Sequence, residues 1–418
     1  MKRELAIIGA GYVGVPLAQV FAEAGVGSVL LDVDPTRVER IGRGESYIED
    51  VPSERLAPLV ESGALTATTD YDAVRETDAI LIALPTPLTR NREPDLSIVL
   101  GATRKLAERL RPGHLVVLES TTYPGTTREE LLPILAGSGL EVGRDFHLAF
   151  SPERVDPGRT DWTTQNTPKV VGGVTPACTE RACAFYRRAL ETVVPVSSPD
   201  TAEMVKLLEN IFRSVNIALV NELAQLCDRI GLDVWEIVEA AATKPFGFMS
   251  FKPGPGLGGH CLPVDPFYLA WKAREYDFYT EFIELAGKVN ENMPYFCFGK
   301  IVRALNANER PLRGSRVHVV GVAYKADAGD LRESPALKLI ELLVNGGAAV
   351  SYTDSYAPEL PQHGLASVAL DGAVADADCV AVVTAHSGID YPRLAERARL
   401  VVDFRNATGE ARGNVWKL

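Results

Sequence analysis

The sequence lacks the features of several protein classes. Its 418 residues include only six cysteines, with no Cys-x-x-Cys pair, and six scattered histidines. This spacing fits neither a zinc site nor a dense disulfide framework, so we expect reduced thiols, no bound metal and a cytoplasmic location. No apolar run reaches the roughly 18 residues that a membrane span needs, so we expect no membrane partner. Low-complexity tracts and charge blocks are also absent, which excludes a disordered chain.

The charge balance excludes a further class of partner. Lysine and arginine together number 43, aspartate and glutamate 55, and the formal net charge at pH 7 is −12. Nucleic-acid binding depends on a basic surface that contacts phosphates, so we expect no nucleic-acid partner. If the protein binds an anionic small molecule, the positive charge that holds it must be local.

The first ninety residues contain the pattern of a dinucleotide-binding unit. A short apolar strand, Leu5–Ile8, leads into GAGYVG, whose glycines are Gly9, Gly11 and Gly14. An amphipathic helix follows, and then a second apolar strand that ends directly before Asp32. These glycines permit a tight turn, a close approach of the backbone to a pyrophosphate, and close packing of helix on strand. The helix N-terminus attracts phosphates. A G-x-G-x-x-G sequence alone can be an ordinary turn, but this context predicts NAD binding.

Asp32 indicates which dinucleotide is bound. A carboxylate at this position accepts hydrogen bonds from the adenine ribose and repels a 2′-phosphate, which favours NAD over NADP. Arg37 is close enough in sequence to complicate that inference. A further apolar strand ends at Pro85-Thr86-Pro87, where ligands bind in such sheets. Thr86 is therefore either a cofactor contact or a simple turn residue.

The order of elements predicts an α/β protein with two Rossmann-like doubly wound domains. Alternating strands and helices predict an NAD-binding domain over residues 1–198. Residues 199–308 are expected to form a helical dimerisation domain that begins with a long helix ending near Arg229, with Asp200 and Glu203 as a capping box. Residues 309–418 repeat the first pattern without the G-x-G-x-x-G sequence and predict a second Rossmann-like domain.

One glycine-rich loop contains a candidate nucleophile. The segment PGPGLGGHCLPVDP places Cys261 among glycines, with Asp265 four residues later. Backbone N–H groups of such a loop can approach a ligand closely, and a thiol there can be reactive. The alternative is a free cysteine that fills a small gap. His260 could serve as a base, although sequence neighbours often point apart. On the long helix, Lys206 and Asn210 lie one turn apart and share a face, as solvated helix residues also do.

These motifs together resemble the nucleotide-sugar 6-dehydrogenases, the UDP-glucose/GDP-mannose dehydrogenase family. The resemblance covers nearly the whole chain, in the order GAGYVG, PTP, STTYPG, SPERVDPG, VKLLEN, GPGLGGHCLPVDP and AYKADAGDLRES. It implies a four-electron oxidation of a sugar carbon 6 from alcohol to carboxylate with two NAD⁺. The implied route passes through a thiohemiacetal and a thioester on Cys261, which keeps the aldehyde bound between the two oxidations.

The resemblance also implies roles for residues. Lys206 and Asn210 would stabilise oxyanions at carbon 6, Asp265 and Thr121 would hold or activate water, and Glu153 would be the base for thioester hydrolysis. The implied cofactor-binding residues are Gly9, Gly11, Tyr12, Val13, Gly14, Asp32, Arg37, Thr86, Thr121 and Arg332. The implied substrate-binding residues are Glu153, Arg154, Val155, Lys206, Asn210, Lys252, Gly254, Gly256, Gly258, Lys325 and Arg405.

The substrate and assembly are less closely defined. The stretches LESTTYPGTT, KPFGFMSFKPGPGLGGHC and PVDPFYLAWKARE look most like the UDP-N-acetylglucosamine branch, followed by UDP-glucose and UDP-N-acetylmannosamine. The apolar positions of the long helix predict a homodimer. Two other hypotheses are a non-catalytic NAD-binding sensor and a single-step β-hydroxyacid dehydrogenase. The presence of Cys261, Lys206, Asn210 and Asp265 argues against the sensor. The β-hydroxyacid dehydrogenases share the lysine helix but have no use for a nucleophilic cysteine or for the third region.

Overall fold

A computed structural model describes residues 2–48, 50–89, 91–155, 161–259, 262–409 and 412–418. The chain divides into two compact units. The first comprises the residues up to Glu209 together with Phe267–Phe278, and the second comprises Asn210–Pro266 and Tyr279–Leu418. None of the helices in these ranges is long and apolar enough to cross a membrane. The division into three domains at residues 198 and 308 stays a prediction.

The first unit is built on an eight-stranded sheet. Its strands are β1 (Leu5–Ile8), β2 (Ser28–Leu31), β3 (Leu65–Thr68), β4 (Ala79–Ile82), β5 (Leu115–Leu118), β6 (His147–Phe150), β7 (Lys169–Gly173) and β8 (Val193–Val196). They lie in the order β3-β2-β1-β4-β5-β6-β7-β8. The four residues of β1, β4 and β5 are all buried. Strands buried on both faces have uniformly apolar sequences because helices cover the sheet on both sides.

In the described part of the chain six α-helices accompany this sheet: α1 (Gly14–Glu23), α2 (Pro35–Gly42), α3 (Ser53–Glu61), α4 (Ser97–Ala107), α5 (Leu132–Ala136) and α6 (Pro176–Tyr186). One strand pair differs from the parallel sheet that the sequence predicts, because β7 pairs with β6 in the antiparallel sense. A parallel pair needs a crossover, usually a helix, and the described residues between β6 and β7 form none.

Two further helices belong to both units. These are α7 (Pro199–Ile230) and α9 (Asp265–Ala273), separated by α8 (Val234–Ala242) of the second unit. The long helix predicted to end near Arg229 therefore exists, and Gly231 follows it with a φ of 77°. A residue without a Cβ adopts this left-handed conformation at little cost, which explains why the helix ends there.

The second unit contains the predicted second Rossmann-like sheet. Its helices are α10 (Glu281–Ala307), α11 (Pro335–Asn345), α12 (Leu370–Asp376) and α13 (Tyr391–Arg397). Its strands are β9 (Arg316–Val320), β10 (Ala349–Thr353), β11 (Glu359–Leu360), β12 (Leu365–Ala366), β13 (Cys379–Val382), β14 (Val401–Asp403) and β15 (Val415–Lys417). Five form a parallel sheet in the order β10-β9-β13-β14-β15, while β11 and β12 pair separately. Both Rossmann-like sheets expected from the sequence are confirmed.

The capping box predicted at the start of α7 is wrong. Ser198 caps the helix, since its hydroxyl accepts a hydrogen bond from the Thr201 N–H at 3.1 Å. Glu203 is fully buried and its carboxylate faces another segment. It accepts hydrogen bonds from the Gly125 N–H at 2.7 Å, the Thr127 N–H at 2.9 Å and the Thr127 hydroxyl at 2.7 Å. Glu203 therefore fastens the turn after β5 to α7.

This fastening predicts a loss of stability in Glu203→Gln. The amide has one oxygen in place of two, so at least one buried donor loses its acceptor and faces an NH₂ group. An unsatisfied buried donor costs about 1–3 kcal/mol, and we expect that decrease in the free energy of unfolding, measured by urea denaturation. The control Glu61→Gln changes an exposed glutamate at the end of α3 and should shift the value by less than about 0.5 kcal/mol. Equal midpoints for the two variants would contradict this assignment.

Apolar side chains recur along α7 and stay exposed. They follow helical spacing and lie at Met204, Leu208, Phe212, Leu219, Leu223, Leu226 and Ile230. Exposed single apolar residues are common, but a continuous stripe is typical of an interaction surface. The stripe agrees with the homodimer expected from the sequence, which stays a prediction.

We therefore expect a homodimer at micromolar concentration, measured by light scattering. Leu219→Glu combined with Leu226→Glu should shift the mass to that of a monomer, because each change places a charge within the apolar stripe. The control Ile98→Glu alters a comparably exposed residue of α4 and should leave the mass unchanged. A monomeric wild type would exclude the predicted dimer.

Candidate active site

The turn between β1 and α1 has the shape that a dinucleotide requires. A Cβ on Gly9, whose φ is 112°, would lie 2.2 Å from the Ala83 carbonyl oxygen, and a Cβ on Gly14 would lie 1.9 Å from that of Gly9. Around Gly11, in contrast, no atom of the described residues beyond its two chain neighbours lies within 4 Å of such a Cβ. The outer glycines thus permit close packing, while Gly11 leaves its side of the loop open to a phosphate. Among the described residues no side chain caps the N-terminus of α1, and a helix N-terminus of this kind attracts an anion.

Two predicted cofactor residues are part of this loop. Tyr12 is half exposed and Val13 directly precedes α1.

Asp32 follows β2 and is 8% exposed. Its Oδ2 accepts a hydrogen bond from the Ala10 N–H at 2.8 Å, and its Oδ1 accepts one from the Asp34 N–H at 3.0 Å. The backbone therefore fixes this carboxylate beside the glycine turn, where a ribose hydroxyl would meet it.

Arg37 is close to Asp32, as its sequence position suggested. One guanidinium nitrogen lies 3.5 Å from Asp32 Oδ2, and the side chain is about half exposed. A long pair with an exposed partner is weak, so Asp32 keeps most of its negative potential. The loop, the helix N-terminus and this carboxylate together fit NAD.

The ends of β4 and β5 are tied together at the same sheet edge. The Thr86 hydroxyl donates to the Thr121 carbonyl oxygen at 2.7 Å, and the Ser120 hydroxyl accepts from the Leu84 N–H at 2.9 Å. The Tyr268 hydroxyl donates to the Thr86 carbonyl oxygen at 2.7 Å. Thr86 is therefore structural in this turn, and its hydroxyl oxygen still has a lone pair for a ligand. Thr121 is partly buried next to it.

Beyond β6, the same edge carries Glu153 and Lys206. The Glu153 Oε1 accepts hydrogen bonds from the N–H groups of Arg154 at 2.7 Å and Val155 at 2.8 Å. The Lys206 ammonium donates to the Glu153 carbonyl oxygen at 2.7 Å. The Arg154 guanidinium is engaged by the Glu209 carboxylate. Within the first unit, the predicted residues at this position are thus in contact.

A buried lysine near Glu153 escaped the sequence analysis. Lys169 opens β7, and its ammonium lies 2.5 Å from Glu119 Oε2 and 3.7 Å from Glu153 Oε2. Burial raises the pKa of Glu153, but the attraction of Lys169 and the two backbone N–H groups outweigh it, so the pKa is lowered overall. The sequence feature that could have indicated this residue is a lysine at the first position of an otherwise apolar strand.

In the second unit, Asn210 contacts Asp265. The amide nitrogen of Asn210 donates to Asp265 Oδ2 at 2.5 Å, and both residues are buried. Asp265 is the first residue of α9. Cys261, the predicted nucleophile, and its neighbour His260 lie outside the described residues. The positions of Lys206 and Asn210 on successive turns of α7 are as expected.

The glycine-rich loop before Cys261 is held at several points within the second unit. The Gly254 N–H donates to the Asn221 amide oxygen at 2.9 Å. A Cβ on Gly254 would lie 2.7 Å from the Arg405 guanidinium, and one on Gly258 would lie 2.3 Å from the Tyr324 side chain. These glycines therefore permit close packing of the loop against the second Rossmann-like sheet. Asn221 is a further residue that the sequence analysis missed, since an asparagine in a helix gives no distinguishing signal.

The remaining predicted substrate residues also belong to the second unit. Gly256 has a φ of 133°, in the region that favours glycine, and Lys252 is exposed. The Arg332 carbonyl oxygen accepts from the Gly259 N–H at 2.9 Å, while the Arg332 guanidinium pairs with Asp330. Lys325 is partly buried on the same segment. The glycine loop thus lies against Arg405 at Gly254 and against Arg332 at Gly259. Their guanidinium groups are cations of the kind that bind an anionic ligand.

Three family models match the chain along its length. They describe the NAD-binding domain, the central domain and the UDP-binding domain of the UDP-glucose/GDP-mannose dehydrogenase family, at residues 3–190, 200–292 and 318–410. The chain belongs to this family. It is accordingly an NAD-dependent nucleotide-sugar dehydrogenase, an oxidoreductase that acts on a UDP-sugar.

Other members of the UDP-glucose/GDP-mannose dehydrogenase family are similar over nearly their whole length. The UDP-N-acetyl-D-mannosamine dehydrogenase of Pyrococcus horikoshii is 36% identical over 414 residues, covering 97% of this chain and 96% of the relative. The Escherichia coli K12 enzyme of the same name is 36% identical over 400 residues, covering 92% and 93%. A solved structure of the UDP-D-ManNAc dehydrogenase from P. horikoshii has a TM-score of 0.91 at 32% identity, covering 99% of this chain and 98% of that one.

The geometry of Asp32 predicts a preference between the two cofactors. We expect kcat/KM with NAD⁺ to exceed that with NADP⁺ at least tenfold, about 1.4 kcal/mol, because the fixed carboxylate repels a 2′-phosphate. The measurement compares initial rates with each cofactor. Arg37→Ala should increase the ratio of kcat/KM with NAD⁺ to kcat/KM with NADP⁺, since it removes the cation beside Asp32. Equal use of both cofactors by the wild type would mean that Arg37 neutralises the carboxylate.

Proposed function

We propose that the chain oxidises carbon 6 of a UDP-2-acetamido sugar to the carboxylate. The observation that carries this proposal is the pair of contacts on successive turns of α7. Lys206 is bonded to the Glu153 backbone in the first unit, and Asn210 is bonded to Asp265 in the second. Family membership adds the NAD-binding and UDP-binding domains.

The overall reaction converts one alcohol, one water and two NAD⁺ into one carboxylate, two NADH and three protons. NAD⁺ supplies a hydride acceptor for each oxidation. In our proposal the Cys261 thiolate bonds to carbon 6 of the aldehyde after the first oxidation, and the second oxidation turns this thiohemiacetal into a thioester. Water then bonds to the thioester carbon, the carbon–sulfur bond breaks and the thiolate is restored. Because the aldehyde stays covalently bound, it does not escape.

We assign roles to the described residues from their chemistry. The Lys206 ammonium and the Asn210 amide are donors of the kind that stabilise an oxyanion at carbon 6. Asp265 would orient the attacking water with help from Thr121. The Glu153 carboxylate would accept the proton of that water. The positively charged Lys325 and Arg405 would bind the nucleotide part of the substrate.

The acetamido group is the part of the proposal that specifies the sugar. The sequence motifs favour UDP-N-acetylglucosamine, whereas the relatives above carry the name UDP-N-acetyl-D-mannosamine dehydrogenase. A further relative, from Ralstonia nicotianae, is named an NDP-N-acetyl-D-galactosaminuronic acid dehydrogenase at 34% identity. These sugars share an acetamido group at carbon 2. We therefore propose a UDP-2-acetamido sugar, with the manno and gluco epimers as the two candidates.

A substrate panel tests this choice. Purified protein and NAD⁺ are mixed with UDP-N-acetylmannosamine, UDP-N-acetylglucosamine or UDP-glucose, and NADH is followed at 340 nm. We expect one acetamido sugar to exceed UDP-glucose at least tenfold in kcat/KM, since the polar groups that bind the amide would lose their partner with UDP-glucose. A preference for UDP-glucose would contradict the proposed specificity. Absence of NADH with every sugar would contradict the proposed activity.

The role of Cys261 gives a second test. Cys261→Ala should abolish formation of the sugar acid while leaving NAD⁺ and UDP-sugar binding nearly intact. The wild type should release two NADH per acid without free aldehyde. The control Cys379→Ala removes a thiol buried in β13, where burial raises its pKa to about 12, and should keep the wild-type stoichiometry. Acid formation by Cys261→Ala, or one NADH per acid, would contradict the thioester route.

A further inference from the structure

A buried cluster of charges lies behind Glu153 in the first unit. The Lys169 side chain is 5% exposed and its ammonium contacts the Glu119 carboxylate, which is completely buried. The second oxygen of Glu119 accepts a hydrogen bond from the Tyr186 hydroxyl. Burying an ion pair costs free energy unless its groups are well bonded. A pair of this kind next to a candidate catalytic carboxylate calls for a functional explanation.

The two oxygens of Glu153 have different surroundings. Oε1 is fixed by the N–H groups of Arg154 and Val155, at 2.7 and 2.8 Å. Oε2 lies 3.7 Å from the Lys169 ammonium. The backbone therefore sets the orientation of the carboxylate, while Lys169 supplies the positive charge on its other side.

Other charged groups around Glu153 are directed elsewhere. The Lys206 ammonium bonds to the Glu153 carbonyl oxygen. The Arg154 guanidinium bonds to Glu209 and to the Pro168 carbonyl oxygen. Lys206 also lowers the pKa of the Glu153 carboxyl, but less than Lys169 does, so Lys169 is the stronger cationic neighbour of the two.

The state of Tyr186 and Glu119 supports this arrangement. Burial and the charge of Glu119 raise the pKa of Tyr186 well above its usual value, so the phenol stays neutral and donates to Glu119. Burial also raises the pKa of Glu119 itself, against the attraction of Lys169. Burial lowers the pKa of Lys169, but its two carboxylate neighbours raise it overall. The ammonium therefore remains charged between two carboxyl groups.

We propose that Lys169 is a positioning residue that keeps Glu153 ionised for thioester hydrolysis, and that Glu119 holds the Lys169 ammonium in place. The inference rests on the proposed function, in which Glu153 accepts the proton of the attacking water. In that step the water oxygen bonds to the thioester carbon, the proton passes to Glu153 and the Cys261 thiolate leaves. A protonated Glu153 cannot accept this proton, so the acid limb of the pH–rate profile follows its ionisation.

The arrangement predicts a shift for one variant and none for the other. Lys169→Met removes the cation and leaves two neighbouring carboxyl groups, so Glu153 takes up a proton at higher pH. Glu119→Gln keeps the ammonium and an oxygen that accepts a hydrogen bond from it, so Glu153 takes up its proton at the wild-type pH. A residue with a merely structural role would shift neither limb, whatever it did to stability.

The test is the pH dependence of kcat with the UDP-sugar that the wild type prefers. We expect the acid limb of Lys169→Met to move up by about one pH unit or more, and that of Glu119→Gln to stay at the wild-type pH. Lys169→Arg keeps the charge and should retain the wild-type limb. At a pH below the acid limb of its own profile, Lys169→Met should release NADH in a burst. It should then accumulate a covalent sugar adduct on the enzyme, measured by mass spectrometry.

Controls separate this inference from a general loss of stability. Lys300→Met breaks a comparably buried ion pair, with Asp228 in the second unit, and should leave the acid limb unchanged. If Lys169→Met does not fold, Glu119→Gln is compared with the double variant Lys169→Met/Glu119→Gln, in which the completely buried Glu119 carboxyl is neutralised together with the loss of the ammonium. The acid limb of the double variant should lie at a higher pH than that of Glu119→Gln.

Acid limbs that lie at the same pH in all folded variants would overturn the role of Lys169. A shift of the acid limb of Lys169→Met to lower pH would also overturn it. Both outcomes require an active wild type that makes two NADH per acid. Failure of the proposed function is a different result, because then the wild type itself gives no NADH with any UDP-sugar.

Discussion

The desolvation of charge at the carboxyl edge of the first sheet is the constraint on which the site depends. The Lys169 ammonium is buried where β5 and β6 end and β7 begins, and it is stable there only because Glu119 and Glu153 contribute negative charge on either side. Each carboxylate is in turn fixed by further donors, the Tyr186 hydroxyl for one and two backbone N–H groups for the other. A buried polar network of this kind is stable only when every member is satisfied. It therefore holds the residues around Glu153 in one arrangement.

The turn after β5 depends on the same requirement. Glu203 on α7 is buried and accepts three hydrogen bonds from Gly125 and Thr127. The Thr86 hydroxyl adds a bond to the neighbouring Thr121 carbonyl. Polar side chains thus connect the strand ends to the long helix, so that catalytic candidates from distant parts of the sequence share one supporting framework in this unit.

The sequence allowed the prediction of those features that follow from local pattern. Strand β1 and the glycines after it were predictable because a buried parallel strand is uniformly apolar and because Gly9 and Gly14 have no space for a side chain. The contact of Asn210 with Asp265 was not predictable from spacing, since 55 residues separate them. Glu203 was misassigned because a glutamate three residues after a helix start matches a capping box, and tertiary hydrogen bonds overrode that local motif. Lys169 had no motif at all, as its partners come from other strands.

The regularity of α7 has a consequence for how the gene can change. Lys206 and Asn210 lie four residues apart on an uninterrupted helix from Pro199 to Ile230. Each residue advances about 100° around the axis, so four residues bring the second side chain back to nearly the same face. Inserting or deleting one codon between them would rotate Asn210 by that angle relative to Lys206, so that the two side chains would no longer share a face of the helix. Substitutions at the exposed positions of this turn keep the angle between Lys206 and Asn210 around the helix axis, whereas insertions and deletions change it.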